Sequence, residues 1–256
     1  MKRIQDKLRE NKKLVSIYFT AGFPNLNDTK TIIKNLEKSG VDMIEIGLPF
    51  SDPLADGPTI QASSTKALQN GMTSELLFNQ LKDIRESVKI PLLIMGYFNP
   101  ILQFGVENFC KKCQEVGIDG LIVPDLPLEI YLLEYQSIFE KYDLANIFLI
   151  TPQTSEKRIN EIDTHSNSFI YMVSSATVTG STNGFGKEEM DYFERISNLK
   201  LKNPQLIGFG INNKTTFDQA TSFQNGAIIG SHFVKYLKDF GTKKGSAYLK
   251  IIKGDS

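Results

Sequence analysis

Eight times along a chain of 256 residues, a short and continuously apolar run ends in a polar turn and gives way to a segment with helical spacing. The runs fall at 14–20, from 43, and at 91–97, 120–123, 146–150, 168–173, 205–208 and 227–229. A strand half-exposed to water alternates apolar and polar residues. Runs apolar on both faces belong to a parallel sheet covered on each side. Eight strand–helix units in this length predict a TIM (β/α)8 barrel, with an open flavodoxin-like or Rossmann sheet as the alternative. The reading is of one domain over 1–256, with no linker and no low-complexity tract. A charged amphipathic helix around Ile4 and Leu8 precedes the first strand.

The intervening helices are predicted from Asn27 or Asp28 to Gly40, over 59–68 and 73–88, over 106–116 and 128–142, from about 156, over 187–198 and 215–223, and from 231. Capping residues and glycines set their ends. In this architecture chemistry gathers where strands end and helices have not begun. The residues there include Thr20, Glu45 with the loop from Asp52 to Asp56, Tyr97, Asn99, Asp125, Thr151 and Tyr171. Two glycine turns, 208–210 and 230–231, complete the set.

One of these positions departs from its surroundings. Glu45 lies between Ile44 and Ile46, on the same face of its strand as Met43 and Gly47. A carboxyl in an apolar interior has to be paired, protonated or functional. The loop after it carries Asp52, Pro53, Asp56 and Pro58, so its backbone is stiff and its carboxylates are held near Glu45. That combination suggests acid–base chemistry.

Near the end, Gly208-Phe209-Gly210 and Gly230-Ser231 follow strands seven and eight. Glycine lets backbone N–H groups approach phosphate oxygens, and the helix that starts at Ser231 adds its positive end. Together the two turns predict a phosphate site. The segment 174–187, small and polar with three glycines, reads as a lid over the mouth. Its Gly180 and Lys187 lack nucleotide P-loop spacing.

Composition narrows the partners. Twenty-nine basic residues balance 29 acidic ones, so no surplus points to nucleic acid or to a membrane. The first thirteen residues are charged and resemble no secretory signal. No apolar run nears the ~20 residues of a membrane helix, and a cytoplasmic location is expected. Cys110 and Cys113 sit on an apolar helical face and read as packing residues rather than as a redox pair or half a zinc site. His232 reads as a packed first-turn residue and His165 as solvated. Two histidines are a poor supply for a metal, and none is expected.

The run from Glu45 through Gly47-Leu48-Pro49-Phe50-Ser51-Asp52-Pro53-Leu54-Ala55-Asp56-Gly57-Pro58-Thr59 to Gln61 resembles the tryptophan synthase alpha subunit family. Tyr97-Phe98-Asn99-Pro100, Asp125-Leu126-Pro127, Val178-Thr179-Gly180, Gly208-Phe209-Gly210-Ile211 and Gly230-Ser231 extend the resemblance, in order, over nearly the whole chain. It implies a TIM barrel that cleaves indole-3-glycerol phosphate to indole and glyceraldehyde 3-phosphate. Under it, Glu45 and Asp56 are catalytic. Tyr171, Tyr97, Phe209 and Thr179 bind substrate, and Gly180, Gly210, Gly230 and Ser231 hold phosphate. It also implies no cofactor in this chain. Pyridoxal phosphate is expected only in a partner beta subunit, within an alpha2-beta2 heterotetramer that passes indole through a tunnel. The residues by themselves leave two other readings open: a non-catalytic subunit that binds a phosphorylated ligand, and another phosphosugar barrel such as an isomerase.

Overall fold

A computed structural model describes residues 1–10, 13–174, 184–242 and 247–254. Among them, nine parallel strand segments form one sheet, in the order β5-β4-β3-β2-β1-β9-β8-β7-β6. They are β1 (Leu14–Thr20), β2 (Met43–Gly47), β3 (Leu92–Met95), β4 (Gly120–Ile122), β5 (Ala145–Ile147), β6 (Leu149–Ile150), β7 (Ile170–Val173), β8 (Gln205–Gly208) and β9 (Gly226–Ile229). β5 pairs with β4 and β6 pairs with β7. Only Phe148 separates the two segments, so they are halves of the single fifth strand predicted from sequence, and the sheet closes through them. The outcome is the TIM barrel, not the open sheet.

Two apolar clusters define the layers. Ile17, Phe19, Ile44, Ile46 and Ile94 face outward onto the helices. Met43, Leu93, Ile122, Ile147, Tyr171, Leu206 and Ile228 face inward and fill the barrel. On β1 the inward residues are therefore Ser16, Tyr18 and Thr20, and on β2 they are Met43, Glu45 and Gly47, as two-residue alternation requires.

The helices are α1 (Lys2–Leu8), α2 (Thr29–Lys38), α3 (Pro58–Gln69), α4 (Ser74–Leu81), α5 (Phe98–Phe104), α6 (Val106–Val116), α7 (Leu128–Ile130), α8 (Gln136–Lys141), α9 (Glu156–His165), α10 (Lys187–Asn198), α11 (Lys214–Phe223), α12 (Ser231–Phe240) and α13 (Tyr248–Lys253). Helix α1 closes the lower end of the barrel. Ile4, fully buried, joins the inward cluster. Beside it, Arg3 donates to Asp119 Oδ1 at 2.7 Å and Arg85 donates to Asp119 Oδ2 at 2.6 Å. Two cations on one buried carboxylate offset its desolvation.

Three elements differ from expectation. Residues 98–104, for which no helix was predicted, form α5. Its Pro100 stands in the first turn, where no backbone donor is needed, and Asp125 caps the Phe98 N–H at 2.8 Å. The helix predicted over 73–88 ends at Leu81, and a 3-10 turn at Ile84–Glu86 completes the connection. The helix predicted over 128–142 is interrupted by a π turn at Tyr131–Tyr135. Cys110 and Cys113 are buried on α6, and burial raises both thiols, Cys110 to about 12. That is the packing role read from sequence.

Candidate active site

At the upper, C-terminal end of the strands the inward layer is short of side chains. Gly47 ends β2, Gly208 ends β8 and Gly230 follows β9. Into the vacated space lean two tyrosines by the same device. Tyr18 pairs with Glu45 and overhangs Gly47, two residues further along β2. Tyr171 pairs with Leu206 and overhangs Gly208, two residues further along β8. A Cβ on either glycine would overlap the tyrosine ring and hydroxyl. What remains is a cavity of about 300 Å³.

Its wall contains six of the residues singled out from sequence: Asp56, Tyr171, Phe209, Gly210, Gly230 and Ser231. Tyr97 and Asp56 share an adjoining recess. Tyr97 takes the Ala55 N–H at 2.9 Å and donates to Asp56 Oδ2 at 3.3 Å, so the loop after β2 is tied to the end of β3. Asp56 is half-buried, and that burial raises its carboxyl to about 6 against the lowering effect of the Tyr97 hydroxyl. Thr179, Gly180 and the middle of the predicted 174–187 lid, residues 175–183, lie outside the described residues.

Glu45 is fully buried and does not form part of the cavity wall. Ser16 Oγ donates to its Oε1 at 2.7 Å, and its Oε2 has no hydrogen-bond partner among the described residues. Burial drives its carboxyl up to about 8, with the Ser16 hydroxyl pulling the other way. Tyr18 and Tyr171 feel the charge of both Glu45 and Asp56, and burial keeps both phenols neutral. Both tyrosines therefore lie within electrostatic reach of the buried carboxyl and of the half-buried one.

The two turns predicted to hold phosphate are built from backbone. Phe209 and Gly210 both have positive φ, 69° and 76°. A left-handed phenylalanine is strained, and Ser174 Oγ holds it by donating to its carbonyl at 3.0 Å. Ser231 opens α12, and one turn on Lys235 lines the same cavity. Sequence reading missed Lys235. A cation three or four residues after a glycine-serine turn is the signal that would have found it. It also missed Tyr18, which sits beside Glu45 only through the register of β1 on β2. His232 packs as expected: its Nδ1 and the Tyr248 hydroxyl are 2.7 Å apart, and burial lowers its imidazole. His165 is exposed, as expected, at the end of α9.

No helix of the described residues is long and apolar enough to cross a membrane. Residues 4–253 match the family model described as tryptophan synthase alpha chain. The tryptophan synthase alpha chain of Flavobacterium johnsoniae is 70% identical over 253 residues, covering 99% of this chain and 100% of the relative. Among solved structures, tryptophan synthase subunit alpha from Legionella pneumophila str. Paris superposes with a TM-score of 0.88 at 31% identity, covering 98% of this chain and 97% of that one. A chain of tryptophan synthase from M. tuberculosis, in an aminoacrylate-bound form, superposes with a TM-score of 0.85 at 25% identity, covering 98% of each.

Proposed function

The chain belongs to the tryptophan synthase alpha chain family, and from that premise we propose that Glu45 and Asp56 divide the work of its reaction between them. The reaction is the retro-aldol cleavage of indole-3-glycerol phosphate to indole and glyceraldehyde 3-phosphate, a carbon–carbon lyase step in tryptophan biosynthesis. It has two requirements. A proton must reach C3 of the indole ring, and a proton must leave the hydroxyl on the carbon attached to C3.

The observation that carries the division is the difference in burial: Glu45 is wholly enclosed and Asp56 only half, which raises the first carboxyl to about 8 and the second to about 6. Near neutral pH the first is mostly an acid and the second mostly an anion. Neutral Glu45 delivers its Oε2 proton to C3, which leaves the ring cationic at nitrogen. The Asp56 carboxylate at that nitrogen stabilises the cation. Glu45, now ionised, accepts the hydroxyl proton as the carbonyl forms. The C3 bond breaks, its electron pair restores the aromatic ring, and Glu45 regains its proton.

Phosphate binding falls to the Gly210 and Gly230 turns with Ser231, and to Gly180. Lys235 is the one formal positive charge in the cavity wall among the described residues. Held there, the phosphate anchors a substrate whose reacting carbons lie toward Tyr18 and Tyr171. Tyr97, Phe209 and Thr179 complete the pocket for the indole and glycerol parts.

The chain itself uses no cofactor in this scheme. Its partner is a beta subunit that holds pyridoxal phosphate and receives the indole, in an alpha2-beta2 assembly. The deciding experiment is Glu45→Gln with indole release measured on indole-3-glycerol phosphate. A kcat loss of about 10³-fold with little change in KM is expected. Undiminished turnover would remove Glu45 from the mechanism.

A further inference from the structure

The inward face of a barrel strand is an apolar place, and Ser16 occupies it without exposure. Its neighbours in the barrel interior are side chains such as Met43, Leu93 and Ile228. A buried hydroxyl among them costs free energy unless it is bonded. Its one hydrogen bond among the described residues goes to Glu45 Oε1, at 2.7 Å. The partner atom Oε2 accepts and donates nothing among the described residues. The two carboxyl oxygens are therefore inequivalent before any ligand arrives.

We propose that Ser16 is the positioning residue of Glu45: its hydroxyl ties Oε1 to β1 and so selects Oε2 as the oxygen that exchanges the proton with substrate. The inference rests on the assignment of Glu45 as the acid–base group. Oε1 accepts from Ser16 whether the carboxyl is neutral or ionised. A proton on the neutral carboxyl is thus confined to Oε2, the oxygen with no donor against it among the described residues. The same bond is stronger to the ionised form, and so it restrains how far burial can raise the carboxyl. The titratable groups around Glu45 are Tyr18 from β1, Tyr171 from β7 and Asp56 from the loop after β2. The tyrosines are neutral, and β3 contributes only Leu93 and Met95 on its inward face. Among the described residues no cation stands beside Glu45 in place of Ser16.

The test uses Ser16→Ala and Ser16→Thr in the full chain. In Ser16→Ala the orphaned carboxyl turns more freely. We expect kcat to fall about tenfold with KM nearly unchanged, because the orienting bond served the reacting group rather than the ligand. The alkaline limb of the rate profile should move about 1 pH unit higher. Ser16→Thr keeps the hydroxyl and should restore both. An infrared measurement reads the bond without turnover. The neutral carboxyl band that disappears in Glu45→Gln should shift to higher frequency in Ser16→Ala. An unmoved band and an unmoved alkaline limb in Ser16→Ala would overturn the proposal, including the case where only thermal stability falls. That result alongside an inactive Glu45→Gln refutes Ser16 alone. Full activity in Glu45→Gln refutes the underlying assignment instead.

Discussion

The Tyr97 hydroxyl donates to Asp56 Oδ2 at 3.3 Å while accepting the Ala55 N–H at 2.9 Å. One phenol thus fixes both the anion and the backbone that carries it. It also opposes the burial that raises Asp56 to about 6. Tyr97→Phe should therefore raise Asp56 further and delay its ionisation. We expect the acid limb of the rate profile to move upward, with activity down about tenfold at pH 6 and only a few-fold at pH 8. A rate–pH profile of the variant checks this, and an unmoved acid limb would contradict it.

Glu45 should cost the protein stability in alkali. Its folded-state carboxyl is raised from 4.5 to about 8, so the native state holds a proton that the unfolded chain has released between those values. Its contribution is complete below pH 4.5, declines as pH rises and is lost above about 8. Glu45→Gln has no such carboxylate to bury. Urea titrations should find it a few kcal/mol more stable than the parent at pH 9, with the gap closing toward pH 4.

Gly208→Ala tests the crowding under Tyr171. The new Cβ would overlap the Tyr171 ring and hydroxyl, and β8 is held on both sides by β7 and β9. Neither neighbour can retreat cheaply. Overpacking of this kind costs ~1–3 kcal/mol, or a Tm lower by several degrees for a chain of this size. Because Tyr171 would be pushed into the cavity, kcat/KM should fall by more than the stability loss explains. Thermal melts and kinetics on the same preparation separate the two effects.

Lys235 lies in the cavity wall one turn into α12, beyond the Gly230-Ser231 turn. Lys235→Met keeps the aliphatic stem and removes the charge. KM for indole-3-glycerol phosphate should rise about tenfold with kcat nearly unchanged, since phosphate attraction acts equally on substrate and transition state. Inhibition by inorganic phosphate should weaken in parallel, and both effects should shrink at high salt.

The barrel was readable in the sequence because a parallel strand, buried on both faces, has to be apolar throughout. Glu45 was readable because it broke that rule. The helix at 98–104 was not, because its cap, Asp125, arrives from the next βα loop and Pro100 looks like a stop when only its neighbours are considered. The split of the fifth strand at Phe148 arises from closure, which no local pattern records. Ser16 and Tyr18 passed as ordinary members of a strand-forming run. Their significance lies in what faces them across β2, and that depends on register. The positions of Asp56, Phe209, Gly210, Gly230 and Ser231 around one cavity needed only the rule that βα loops converge.

Helix α1 seals the lower end of the barrel with Ile4, and this bears on traffic rather than on architecture. Glu45 is fully buried, and among the described residues the cavity nearest it is the upper one, walled by its neighbours Tyr18 and Tyr171. Once a substrate sits in that cavity, the buried acid is isolated. The hydrogen it hands to the ring is then the one it carried when the complex formed, and the hydrogen it takes in exchange waits there until a product departs.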